Sequence, residues 1–222
     1  MLLDKLYKYR FEIFFFSLVF VLFGSLFFPN MQFESHISPL LFLFNILSGL
    51  LFFIKKGKQA LLIILLFFIV LFVFLFNRIT NSEGDTLRYI RLIVYFVFYC
   101  LVTFKIIRQV WNATAVNRSV IFGLMSGYIS LGLLGFFTFF CIELVTPGSF
   151  VGILVDLTIE DKIDDLLYFS YITIMTIGYG DISPATEIAR STTVLFGIIG
   201  QFYLVIVTAV VIEKYIRFTH KA

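Results

Sequence analysis

The sequence predicts an all-α integral membrane protein: six transmembrane helices, with a short re-entrant helix and loop between the fifth and sixth. Three observations carry that prediction. Hydrophobic residues fill 60% of the 222 positions, against ~45–50% in ordinary soluble domains. Mean hydropathy is +1.02. The apolar residues gather into stretches long enough to cross a hydrocarbon core, for which a helix needs about 17–25 residues.

The first stretch, 11–28, follows Lys5, Lys8 and Arg10. A basic flank before an apolar run imitates a secretory signal. This run is longer than the ~7–15 residues of a signal core, and Phe27-Phe28-Pro29 is no small-residue cleavage site, so it is read as a retained span. Further spans are expected at 38–54, 60–76, 87–107, 118–145 and 190–212. A helix over 164–175 is too short to cross and is therefore read as re-entrant. Irregular backbone at membrane depth is tolerated where protein buries it or where it lines a watery cavity.

Orientation follows from the basic residues. With the N-terminus inside, the cytoplasmic side carries Lys5, Lys8, Arg10, Lys55, Lys56, Lys58, Lys105, Arg108, Arg118, Lys214, Arg217 and Lys221. The outer side keeps Arg78, Arg88, Arg91, Lys162 and Arg190. Both termini are then expected to be cytoplasmic in a multi-pass cell-membrane protein. The Phe- and Ile-rich composition fits a bacterial inner membrane.

Several function classes drop out. The basic residues are scattered among span ends, so the net charge of +3 does not point to nucleic acid. Cys100 and Cys141 lie apart within apolar segments and read as packing residues. His36 and His220 are isolated. No nucleophile–base pair, metal cluster or phosphate loop is visible, so no enzyme chemistry and no cofactor is expected. Asn112-Ala113-Thr114 and Asn117-Arg118-Ser119 match glycosylation sequons, but the expected topology puts both in the cytoplasm.

The most informative stretch is Thr176-Ile177-Gly178-Tyr179-Gly180-Asp181. A row of backbone carbonyls can replace the water shell of a dehydrated K⁺ ion. That row needs consecutive carbonyls turned to one axis. Gly178 and Gly180 can adopt φ > 0 without a Cβ clash, and Thr176 adds a hydroxyl at the inner end.

This motif resembles the T-[VI]-G-Y-G-D signature of the tetrameric potassium channels. The resemblance is specific over about residues 165–212. It implies ion sites formed by the carbonyls of Thr176, Ile177, Gly178 and Tyr179, with Gly180 completing the filter and Tyr179 pointing away from the axis. The pore helix, ending at Met175, would aim its C-terminal carbonyls at the cavity, where a helix end carries about half a negative charge. Tyr168 and Phe169 stand where the family often carries two tryptophans. Tyr168 can donate to Asp181 behind the filter, whereas Phe169 cannot donate. Met175 replaces a common threonine, and Ile172 holds a site that is acidic in some relatives. These departures touch filter stability rather than selectivity. Pro184, Thr186 and Arg190 fall at family positions. Gly200 matches the inner-helix hinge, with Gly197 read as a packing glycine, and Thr208, Ile212 and Ile216 would line the inner mouth.

The resemblance divides the chain into an N-terminal four-helix region, 1–117, and a pore domain, 118–222. One filter strand per chain implies a homotetramer in a lipid bilayer. The fourth span carries Arg88 and Arg91 near one end and then no charge until Lys105. Val94, Val97 and Cys100 hold the positions where a voltage sensor needs charge. Only about ten residues follow Ile212, so no regulatory domain is expected there. The resulting expectation is a K⁺-selective channel subunit, conducting passively with little or no voltage gating. The alternative is a K⁺ pore subunit regulated by separate chains. Asp156, Glu160, Asp161, Asp164 and Asp165 are expected around the outer mouth, some of them capping the pore helix.

Overall fold

The computed structural model describes residues 2–27, 37–54, 57–80, 85–113, 117–153 and 159–219. Helices dominate them. A short α1 (Leu2–Lys8) precedes α2 (Arg10–Phe27), α3 (Ser38–Leu50), α4 (Gly57–Thr80), α5 (Asp85–Trp111) and α6 (Arg118–Val145). Then come β1 (Phe150–Val151), α7 (Ile159–Ile174), β2 (Ser183–Pro184) and α8 (Glu187–Phe202). Tyr203–Val207 forms a π-helical segment, and α9 (Thr208–Thr219) follows.

Among the described residues, four helices are long and apolar enough to cross a membrane: Gly57–Thr80, Thr86–Trp111, Arg118–Val145 and Glu187–Lys214. The chief departure from the expected spans is α3, which has 13 residues. At 1.5 Å per residue it rises about 20 Å, short of the ~30 Å hydrocarbon core. Its helix tightens at the end: the N–H groups of Leu51, Phe52 and Phe53 donate to carbonyls three residues back, on Ser48, Gly49 and Leu50.

The chain divides into two compact units, Met1–Gly127 and Tyr128–Ala222. The division falls about three turns inside α6 rather than at its start. Packing explains the shift. Ser119 Oγ donates to Glu12 at 2.9 Å, and the rings of Phe15 and Phe122 meet at 5.2 Å. The first turns of α6 therefore belong to the bundle that α2 begins.

In the first unit the apolar stripe of α5 is buried through Val94, Phe98, Val102, Ile106 and Val110, a helical repeat that turns one face inward. Beside it lies a buried polar cluster. Asn45 Nδ2 donates to Ser17 Oγ, and the Tyr99 hydroxyl donates to Asn45 Oδ1, both at 2.8 Å. The Ser17 and Ser48 hydroxyls share a 2.8 Å hydrogen bond. Three helices, α2, α3 and α5, are tied by groups that would be costly to bury alone.

In the second unit β1 and β2 pair antiparallel, Phe150 opposite Pro184 and Val151 opposite Ser183. The turn before β1 is held by Glu143. This carboxylate is only 4% exposed and accepts from the backbone N–H groups of Gly148 and Ser149, each at 2.9 Å. Lys162 Nζ lies 3.9 Å from it. Thr186 caps α8 by accepting from the Ala189 N–H. Phe139 anchors an aromatic cluster with Phe150, Phe169 and Phe196.

Candidate functional site

The Thr176–Asp181 loop begins where α7 ends, at Ile174, one residue earlier than expected. The helix end is a Schellman arrangement. The Ile177 N–H donates to the Ile172 carbonyl at 2.9 Å, and the Thr176 N–H to the Thr173 carbonyl at 3.0 Å. Such an end needs a left-handed residue between them, usually glycine. Here that residue is Thr176, with φ +58°. A β-branched residue in this region is an outlier, and strain of this kind gathers at functional sites.

Left-handed backbone recurs at Gly178, φ +55°, and Gly180, φ +85°. Ile177 and Tyr179 between them keep negative φ. In an ordinary strand successive carbonyls alternate sides. Alternating handedness instead brings successive N–H groups together, and the carbonyls together on the opposite side. All side chains from Met175 to Asp181 are exposed on the single chain, Tyr179 at 72%.

The final carbonyls of α7 all have partners. Tyr171 accepts from the Met175 N–H, Ile172 from both Ile177 and Gly178, and Thr173 from Thr176. The Ile174 carbonyl accepts from the Tyr128 hydroxyl at 3.1 Å. These carbonyls are bonded to the backbone that follows the helix and to α6. The dipole of the helix remains.

Behind the loop, the Tyr168 hydroxyl donates to Asp181 Oδ2 at 2.7 Å. That bond holds the Asp181 carboxyl below the usual carboxylate range. The same bond, with burial and the aspartate charge adding to it, pushes the Tyr168 hydroxyl up to about 12. Phe169 donates nothing but packs between Phe139 and Phe150. Gly152 sits at φ +98°, and a Cβ there would collide with the Asp181 carbonyl. The hairpin therefore lies directly on the outer end of the loop.

Gly200 lies in regular helix and is buried, and a Cβ on it would come within 2.8 Å of the Ile174 carbonyl oxygen. Close packing is its visible role, and the helical irregularity comes three residues later, at Tyr203–Val207. Thr208 opens α9, with Ile212 and Ile216 exposed on the same face. Asp156 lies outside the described residues, as do the side chains of Glu160 and Asp161. Asp164 is exposed and Asp165 half-buried.

Sequence reasoning missed Glu143, Tyr128 and Tyr171. Each carried a signal. Glu143 stands in the last turn of an apolar helix, where negative charge opposes the helix dipole and needs compensation. Tyrosines within apolar helices need partners for their hydroxyls, and Tyr171 donates to the Ile129 carbonyl at 2.8 Å.

Residues 130–217 match the family model described as an ion channel. No curated protein and no solved structure matches the chain. The matched stretch lies within the second unit, Tyr128–Ala222, which is similar there to an ion channel domain.

Proposed function

We infer that this ion channel domain conducts potassium selectively, through a pore that four copies of the chain build together. The observation that carries the reading is the alternation of left-handed backbone at Thr176, Gly178 and Gly180. A loop of that conformation can offer one column of carbonyls to a dehydrated cation. One column does not surround an ion, and the exposed flank from Met175 to Asp181 is the surface that neighbouring copies would cover. The carbonyls of Thr176, Ile177, Gly178 and Tyr179 are the proposed ion sites, with Tyr168 and Asp181 bracing the outer end.

In this reading α2 to α6 and the inner helix Glu187–Lys214 supply six spans, α3 crossing together with the tight turn at Leu51–Phe53 that extends it, and α7 is re-entrant. Both termini face the cytoplasm of a cell membrane. Thr208, Ile212 and Ile216 line the inner mouth, where a ring of isoleucines closes a pore by dewetting. Among the described residues the buried face of α5 from Val94 to Val110 carries no charged side chain, so open probability changes little with voltage. Steep activation that vanishes on neutralising Arg88 and Arg91 would overturn that part.

The test is flux from liposomes holding the purified protein. K⁺ and Rb⁺ should pass far faster than Na⁺, and mass measurement in detergent should give four chains. Equal K⁺ and Na⁺ flux defeats the selectivity claim, and a conducting monomer defeats the assembly.

A further inference from the structure

The end of α7 that feeds the Thr176–Asp181 loop is held from two sides. On one side the Tyr128 hydroxyl of α6 donates to the Ile174 carbonyl at 3.1 Å. On the other, α8 passes so close at Gly200 that any side chain there would press on the same carbonyl oxygen. The ring of Tyr128 in turn rests on Tyr203, with centroids 5.6 Å apart. Tyr203 opens the π-helical segment, which runs to Val207 before α9 resumes regular helix. Irregular turns of this kind mark functional positions in helices.

The Ile174 carbonyl is the last of the four that an α-helix leaves without an internal partner. The other three are bonded to the backbone of Met175, Thr176, Ile177 and Gly178. Only the Ile174 carbonyl is satisfied from another helix. Among the described residues, the hydroxyl of Tyr128 is thus the side chain that bonds a terminal carbonyl of this helix, one residue from Met175 and two from Thr176.

We propose that Tyr128 is a positioning residue for the inner end of the ion-conducting loop, and that through Tyr203 it reports the state of the π-helical segment to that loop. This rests on the reading of the loop as a conducting filter. Tyr171 supplies the contrast. Its hydroxyl also ties α7 to α6, at the Ile129 carbonyl, but no ring contact joins it to Tyr203 among the described residues. Loss of Tyr171's bond loosens the helix without touching the relay.

The experiment uses the full chain in lipid bilayers, with two readouts. Single-channel K⁺ recording gives the mean open time, and amide hydrogen exchange follows the Met175–Gly178 backbone whether or not the protein conducts. Tyr128→Phe should shorten open times and speed exchange at Ile177 and Gly178 by roughly three- to ten-fold, the range one hydrogen bond commands. Tyr203→Ala, which removes the ring beneath Tyr128, should reproduce Tyr128→Phe. The double variant Tyr128→Phe with Tyr203→Ala should add nothing further, while Tyr171→Phe with Tyr203→Ala should be additive, since only coupled sites depart from additivity. Full additivity of the Tyr128 and Tyr203 changes, or unchanged exchange in Tyr128→Phe, overturns the relay. A wild-type protein that passes no K⁺ defeats the conduction reading instead, and the exchange result still decides the role of Tyr128.

Discussion

The two units of the chain treat their polar groups in opposite ways. In Met1–Gly127 the buried side chains of Ser17, Asn45, Ser48 and Tyr99 satisfy one another and tie three helices. In Tyr128–Ala222 the decisive polar groups belong to a loop whose side chains are exposed from Met175 to Asp181, with a threonine held in the left-handed region. The first arrangement is closed on itself. The second stores strain and leaves a surface to be covered, which is how a site completed by other copies would be built. A closed cluster resists change in a graded way, whereas a strained loop fails at single positions.

That contrast sets the order of effects. Gly178→Ala should be the most severe substitution. At φ +55° an alanine carries a Cβ into a region glycine alone enters freely, and ion flux should fall by about a hundred-fold or more in the liposome assay. Unaltered flux would mean that the left-handed residues do not organise the conducting row.

Glu143→Gln should come next. The amide can accept from only one of the two N–H groups the carboxylate now holds, and the partner Lys162 loses its charge pair. Hydrogen bonds to charged groups contribute about 1.5–3 kcal/mol, so thermal unfolding of the purified protein should shift by a comparable amount. No shift would show that the hairpin holds without its buried acid.

The brace between Tyr168 and Asp181 predicts a pH dependence. The Asp181 carboxyl titrates below its ordinary range because of Tyr168, so its stabilising contribution is complete above the ordinary carboxylate value of about 3.9 and is lost as pH falls through the lowered one. On the alkaline side the contribution is intact below the ordinary tyrosine value of about 10 and disappears as pH rises through about 12. K⁺ flux should therefore stay level across neutral and mildly acidic outside pH and fall only in strong acid. Tyr168→Phe should move that fall to higher pH. An acid limb that Tyr168→Phe leaves in place would assign it to another group.

Asn45→Leu is the smallest expected effect. Interhelical hydrogen bonds in membrane bundles average about 0.6 kcal/mol, and two are lost here, so stability should drop by about 1 kcal/mol with selectivity unchanged. A change in K⁺ preference would erase the distinction between the units.

The parts of this fold that were legible in the sequence are those encoded by neighbours in the chain. Apolar runs located the helices, and the bounds of α6 match the expected 118–145. The glycines of the TIGYGD stretch announced their positive φ, and the family resemblance anticipated the hydrogen bond from Tyr168 to Asp181. What stayed hidden depends on distant residues meeting. The hairpin pairs Phe150 with Pro184, and Tyr128 reaches Ile174 across 46 residues. Likewise α7 begins at Ile159 rather than near residue 164, because acidic residues that read as loop also suit the first turn of a helix. The end of α3 was overrun for a related reason: an apolar run does not record where tight i→i−3 bonding replaces the helix.

The central claim is that alternating backbone handedness makes a potassium-selective path, and the reversal potential tests it most directly. Purified protein in a planar bilayer would be bathed in KCl on one side and equimolar NaCl on the other. Currents should be carried by K⁺ alone, reverse far toward the K⁺ equilibrium potential, and be absent in Gly178→Ala. Currents reversing near zero under the same gradient would contradict it.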